Sequence, residues 1–165
     1  VTASGHFSTH RMVREYYEKF YGNAAERSHA INVENHAGAR QLWDWKIQLY
    51  QRWAQIRIES VESARSEGLV VGSQVKLRAK IHLGPVAPEW VDVQAYTGAL
   101  SDHGTLEQGR PIRLKHIDNS GNNGVHYYEG EIPCELSGRF GYELRVLPRN
   151  PHLVSQFVPS LITWG

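Results

Sequence analysis

From Gln55 onward the apolar residues of this chain recur at every second position, and that period limits the fold more than any other feature of the sequence. The clearest case is residues 71–83, where Val71, Val75, Leu77, Ala79, Ile81 and Leu83 alternate with Gln74, Lys76, Arg78, Lys80 and His82. Successive side chains of a strand point to opposite faces, so the pattern describes a strand with one face on a core and one in water. The period returns after Gly138, where Phe140, Tyr142, Leu144 and Val146 share one face and Arg139, Glu143 and Arg145 the other. That run reads as a central strand. Ile56 and Ile58, then Val91, Val93 and Ala95, then Ile112 and Leu114, then residues 125–132, supply further strands, and Leu161, Ile162 and Trp164 end the chain with a short one.

Between these runs lie the residues that turn a chain. Gly84, Pro85 and Pro88 precede Val91; Gly98, Asp102 and Gly104 mark the next turn; residues 63–68 and 119–124 are polar and turn-like; Pro148 and Pro151 remove backbone donors and stop the ladder. About six or seven strands at a spacing of roughly ten residues predict an antiparallel sandwich of immunoglobulin-like type.

Upstream of Gln55 the period is helical. Ser8 or Thr9 can cap a helix whose Met12, Val13, Tyr16, Tyr17, Phe20 and Tyr21 form one broad apolar face, with Gly22 and Asn23 as its stop. Residues 24–34 mix helix-tolerant and polar types and read as a loop or weak helix. Asn35 then caps a second helix running to about Trp53, with Ala39, Leu42, Trp45, Leu49 and Trp53 on one side and Trp43, Ile47 and Tyr50 widening it. The expected class is α+β: a helical pair over residues 1–54, followed by the sandwich over residues 55–165.

At 165 residues the chain can bury one sizeable core, or a small core with a helical attachment, but not a multi-domain enzyme. A formal net charge of +1, with acidic and basic residues interspersed, gives no field of one sign, so neither nucleic acid nor an anionic membrane surface is an expected partner. No apolar run approaches the ~20 residues of a membrane span, and no signal-peptide layout is present at the start. With Cys134 as the sole cysteine there is no internal disulfide, which agrees with a reducing compartment; a cytoplasmic protein is the expectation.

Candidate chemistry is sparse. His6 and His10 have helical ligand spacing but no acidic or cysteine companion, so no metal site is expected. Glu129 and Glu131 share a strand face and could act as paired carboxylates, yet that needs a pocket driving their pKa values apart; a solvated face is the plainer account. Lys76, Arg78 and Lys80 are likewise the wet side of a strand. Cys134 has no nearby histidine in sequence and reads as an inert buried residue. Trp90, after the proline-rich turn, and Tyr96, on the polar phase of its strand, are the candidates for carbohydrate contact, because an exposed aromatic face accepts a sugar ring. Of Tyr127 and Tyr128, which point to opposite faces, only one could join them. Against this, an aromatic is worth about 2 kcal/mol when buried, so packing at the sandwich edge is the plainer account of both residues.

The run SGRFGYELRVLPRNPHLVSQFVPSLITWG at residues 137–165 resembles the extreme C-terminus of bacterial α-glucan phosphorylases, the glycogen and starch phosphorylase family of pyridoxal-phosphate-dependent glycosyltransferases. The resemblance continues through FSTHRMVREYYEKFY at 7–21, LWDWKIQLYQRW at 42–53 and VGSQVKLRAKIHLGPVAPEWVDVQAYTG at 71–98, in the family's order. It implies a C-terminal segment of a longer enzyme, in keeping with a first residue, Val1, that is not methionine. The parent would transfer glucosyl units from an α-1,4-glucan to phosphate, releasing glucose 1-phosphate. The cofactor lysine of the family lies in a Lys-x-Ser-Gly context; Ala3, Ser4 and Gly5 match its end, but no lysine precedes them. No catalytic, cofactor or metal residue is therefore assigned, and the fragment alone is expected to be inactive. Its expected partners are the catalytic lobes of the parent, with α-glucan and a second copy, joined through the N-terminal helices, as further candidates.

Overall fold

A computed structural model describes residues 9–18, 22–63, 72–117, 123–134 and 138–165. The chain divides into two compact units, Val1–Lys46 and Ile47–Gly165. The first holds helix α1 (Thr9–Tyr16) and most of helix α2 (Gly22–Arg52), whose last turns enter the second. In α1 an i,i+4 pair, Arg11 to Glu15 at 3.2 Å, lies on the surface. Met12, Val13, Tyr16 and Tyr17 are exposed. Phe20 and Tyr21 lie outside the described residues, as does Ser8.

Helix α2 starts at Gly22 and runs through the segment expected as a loop or weak helix, so Asn35 is not its beginning. Ala24, Ala25, Glu26, Arg27 and Ala30 are good helix formers, and no proline interrupts them. The backbone does depart from the helical region at His36, φ 61°, next to the expected cap. Further along, Trp45, Leu49 and Trp53 recur every fourth residue and all three are buried, as the pattern predicts. Trp43, Ile47 and Tyr50 form the opposite, exposed stripe. Among the described residues no helix is long and apolar enough to cross a membrane.

The second unit holds two four-stranded antiparallel sheets, an arrangement that fits a sandwich. Its strands are β1 (Arg57–Ser63), β2 (Gln74–His82), β3 (Val91–Leu100), β4 (Leu106–Arg113), β5 (Lys115–Ile117), β6 (Val125–Pro133), β7 (Phe140–Pro148) and β8 (Thr163–Trp164). The first sheet has the order β1-β2-β6-β5 and the second β4-β3-β7-β8. In the first, Leu77 lies opposite Gly130, Ala79 opposite Tyr128 and Val75 opposite Ile132. In the second, Val93 meets Val146 and Ala95 meets Leu144. Apart from Gly130 all of these residues are buried, so the inner faces of both sheets form the core that the alternation implied.

Two features of the sheets were not legible in the period. Strand β4 begins at Leu106, ahead of the expected start at Ile112, because Gly109 and Pro111 make an edge strand look like a turn; an edge tolerates proline, since its outward N–H has no ladder partner. The chain then changes sheet at Leu114, which is buried and donates its N–H to the Val93 carbonyl at 2.9 Å while packing its side chain beside Gly130. Residues 64–71 and 118–122, where the sequence expects turns, lie outside the described residues.

Candidate binding face on the second sheet

Pairing in the second sheet brings four outward residues into one row across all four strands: Arg113 on β4, Gln94 on β3, Arg145 on β7 and Trp164 on β8. With strands about 4.8 Å apart the row is roughly 14 Å long. The alternation assigns this face to water. Asp92, Gln94 and Arg145 are nevertheless buried, because the segment after Pro148 folds back over them and places Gln156 and Phe157 against the row. Arg145, expected on a wet face, is thus covered by a segment whose sequence shows no period at all.

The buried polar groups are bonded to one another. Asp92 Oδ2 accepts from Gln94 Nε2 at 2.7 Å, from Arg113 Nη2 at 3.0 Å and from Gln156 Nε2 at 3.1 Å. Arg113 Nε adds an ion pair to Asp92 Oδ1. Gln94 Oε1 in turn accepts from Arg145 Nε at 3.0 Å and Nη2 at 2.8 Å. A carboxylate in a dry setting is tolerable only when compensated in this way. Burial pushes the Arg145 guanidinium down from its ordinary value, with Tyr96 and Asp92 opposing, and leaves it a cation.

Around that cation stand three rings. The guanidinium carbon of Arg145 lies 4.7 Å from the Tyr96 centroid and 5.4 Å from those of Phe157 and Trp164. Tyr96 and Trp164 meet edge to face, centroids 6.2 Å apart at 84°. The Tyr96 ring lies across Gly109 of the neighbouring strand so closely that a Cβ there would come within 2.6 Å of its Cζ. Glycine at this position is what lets the ring lie flat. Tyr96 is half-buried, whereas Phe157 and Trp164 are 60% and 49% exposed.

Of the two aromatics singled out in the sequence, Tyr96 belongs to this cluster and Trp90 does not. Trp90 ends a short 3-10 turn, Pro88–Trp90, and its carbonyl accepts from Arg149 N at 2.8 Å. It lies six positions before Tyr96, about 20 Å at the ~3.3 Å per residue of a strand, too far for both to stack on one sugar ring. Trp164 and Phe157 were missed as candidates, since one was assigned to the terminal strand and the other lies in a non-periodic segment. Tyr127 and Tyr128 are on the other sheet: Tyr127 stacks under Arg78 at 5.0 Å and Tyr128 is buried.

The other sequence candidates fall into ordinary settings. Glu129 pairs with Arg78 at 3.7 Å and Glu131 with Lys76 at 3.9 Å, both on the exposed face of the first sheet. Cys134 is a buried free thiol. His10 is exposed on α1, and His6 lies outside the described residues. Among the described residues no group of three or more His, Cys, Asp or Glu could hold a metal ion.

The fold and this face define a two-sheet antiparallel β domain, preceded in the chain by helices, that carries a polar and aromatic surface. The chain is a member of the glycogen phosphorylase C-terminal domain family, whose match covers residues 53–165. It is 30% identical to the maltodextrin phosphorylase of Thermococcus litoralis over 96% of this chain and 18% of that protein. The glycogen phosphorylase of Mycobacterium bovis is 30% identical over 93% of this chain, again 18% of its own length, and that of Mycobacterium tuberculosis gives the same figures. The chain thus spans 18% of the length of these curated relatives. A solution structure of the carbohydrate binding module of the muscle glycogen-targeting subunit of Protein Phosphatase-1 covers 61% of this chain and 67% of its own at 16% identity, with a TM-score of 0.34, too slight a likeness to bear on fold or ligand.

Proposed function

We propose that this chain is the non-catalytic C-terminal part of an α-glucan phosphorylase, an enzyme that transfers glucosyl units from an α-1,4-glucan to phosphate and releases glucose 1-phosphate. The observation that carries it is the family match over residues 53–165, beside relatives in which the corresponding piece is 18% of the whole. Pyridoxal phosphate and the groups that hold sugar and phosphate then belong to the catalytic lobes in the cytoplasm, and this chain is their partner. Residues 1–54 are the end of the catalytic region and residues 55–165 an appended sandwich of immunoglobulin-like type. Incubated with glycogen, phosphate and pyridoxal phosphate, the chain is expected to form no glucose 1-phosphate; formation above the blank overturns the assignment.

A second role follows from one feature of the face just described. Tyr96, Trp164 and Phe157 surround one guanidinium on a sheet that otherwise presents hydrogen-bonding groups, which supports direct contact between the sandwich and α-glucan. Trp90, in the turn just before β3, is the other candidate contact. Electrophoresis of the chain through gels containing soluble starch should show retardation relative to gels without it; unaltered mobility removes this role and leaves the sandwich as a brace for the lobes or a subunit contact.

A further inference from the structure

We propose that Trp164 and Phe157, held by Arg145, form the stacking surface of a subsite for a neutral saccharide at the end of the Arg113–Gln94–Arg145–Trp164 row; this rests on the glucan-contact role above. A planar ring has two faces. The Arg145 guanidinium lies within 5.4 Å of the Tyr96, Phe157 and Trp164 centroids and so occupies one side of each ring, while Phe157 and Trp164 remain 60% and 49% exposed. Tyr96 is pinned by its edge contact with Trp164 and by Gly109 under its ring, so it sets the orientation of the platform without being its main surface. The rings therefore need little ordering on binding, and a preorganised surface retains more of its contact energy.

Charge selects the ligand class. Arg113 has Nη2 and Nε committed to Asp92, and Arg145 is covered by three rings and bonded twice to Gln94. In both arginines the Nε–Nη2 edge, one that carboxylate and phosphate favour for bidentate contact, is therefore already taken. What remains is apolar ring surface beside amide and guanidinium groups, and that combination suits a ring with C–H faces and hydroxyl edges. Such a ligand is recognised by the sum of stacking and hydrogen bonds, without net charge.

The test uses the whole chain, with maltoheptaose as probe in a titration and soluble starch in the gel. Trp164→Ala and Phe157→Ala should each weaken maltoheptaose binding about tenfold or more, the loss expected when a stacking aromatic is removed. The thermal midpoint of Phe157→Ala should stay near the parent's, because that side chain is 60% exposed, which separates lost stacking from lost folding. Tyr127→Ala, on β6 of the other sheet, should bind as the parent does. Parent-like binding by both Trp164→Ala and Phe157→Ala while Trp90→Ala loses it would overturn this subsite yet keep glucan contact. Absence of binding by the parent chain would overturn both. Displacement of maltoheptaose by inorganic phosphate would overturn the neutral-ligand assignment.

Discussion

Asp92 shows how far one side chain can depart from its strand's pattern when its partners are in place. It sits on the outer face of β3 and is 2% exposed, with four donated N–H contacts on its two oxygens. Removing one member of a buried ion pair costs about 3–5 kcal/mol, chiefly because the other charge is stranded. Arg113→Ala is therefore expected to destabilise by about 3 kcal/mol, the low end of that range, since Gln94 and Gln156 still donate to the carboxylate. Asp92→Asn in the Arg113→Ala background should recover part of the loss by removing the stranded charge. Urea unfolding of the two variants decides it, and a double variant no more stable than Arg113→Ala alone would show that the charge is not the source of the cost. None of this network was visible in the sequence, because Asp92 and Gln94 occupy positions that any solvated strand would fill with the same residue types.

At the scale of elements, the end of the first sheet holds a second polar cluster. His116 on β5 and His126 on β6 face each other, Nε2 to Nδ1 at 3.2 Å, and His116 packs its ring 5.1 Å from that of Tyr128. Burial drives the Tyr128 phenol up, with Glu89 and Asp92 adding to it, so it stays neutral. His126 is lowered from 6.5, first by burial and then by His116, with His82 adding to it and Glu89 opposing. In the folded protein His126 therefore binds its proton less readily than in the unfolded chain. Below about pH 6.5 the unfolded state carries more protons, so stability falls as pH falls towards the folded pKa and levels off beneath it. Urea midpoints measured from pH 7.5 down to pH 5 should drop less steeply for His126→Gln than for the parent. Equal slopes would mean that this pair does not couple to folding. Strand β6 was legible in the sequence, whereas β5 was expected as the continuation of a strand starting at Ile112, and the apposition depends on β5 pairing with β6 after the chain has crossed from one sheet to the other.

For the molecule as a whole, the exposed helical faces are the open matter. Trp43, Ile47 and Tyr50 form one stripe on α2, and Met12, Val13, Tyr16 and Tyr17 lie exposed on α1. Apolar stripes of this kind seldom stay uncovered on isolated chains. In a phosphorylase the catalytic lobes would supply the cover, and in the chain on its own a second copy is the expected substitute. Light scattering should then show a mass above the 18.8 kDa of one chain, reduced towards it in Trp43→Lys. A parent chain that scatters as a monomer, together with fast hydrogen exchange over Thr9–Tyr16, would sink self-association and leave the lobes as the partner of these faces.

The sequence by itself determined the class of fold, the alternation that builds both sheet interiors, the buried stripe of Trp45 and Leu49 on α2 with Trp53 just after it, and the family, because each of these is carried by local periodicity or by residue order along the chain. Only the tertiary structure decided where the aromatic platform lies. Arg145 and Trp164 are nineteen positions apart, Tyr96 lies on another strand, and Phe157 belongs to a segment with no period. Strand pairing and the folding back of the chain after Pro148 set their meeting, and a period of two records which face a residue occupies but not what will later cover that face.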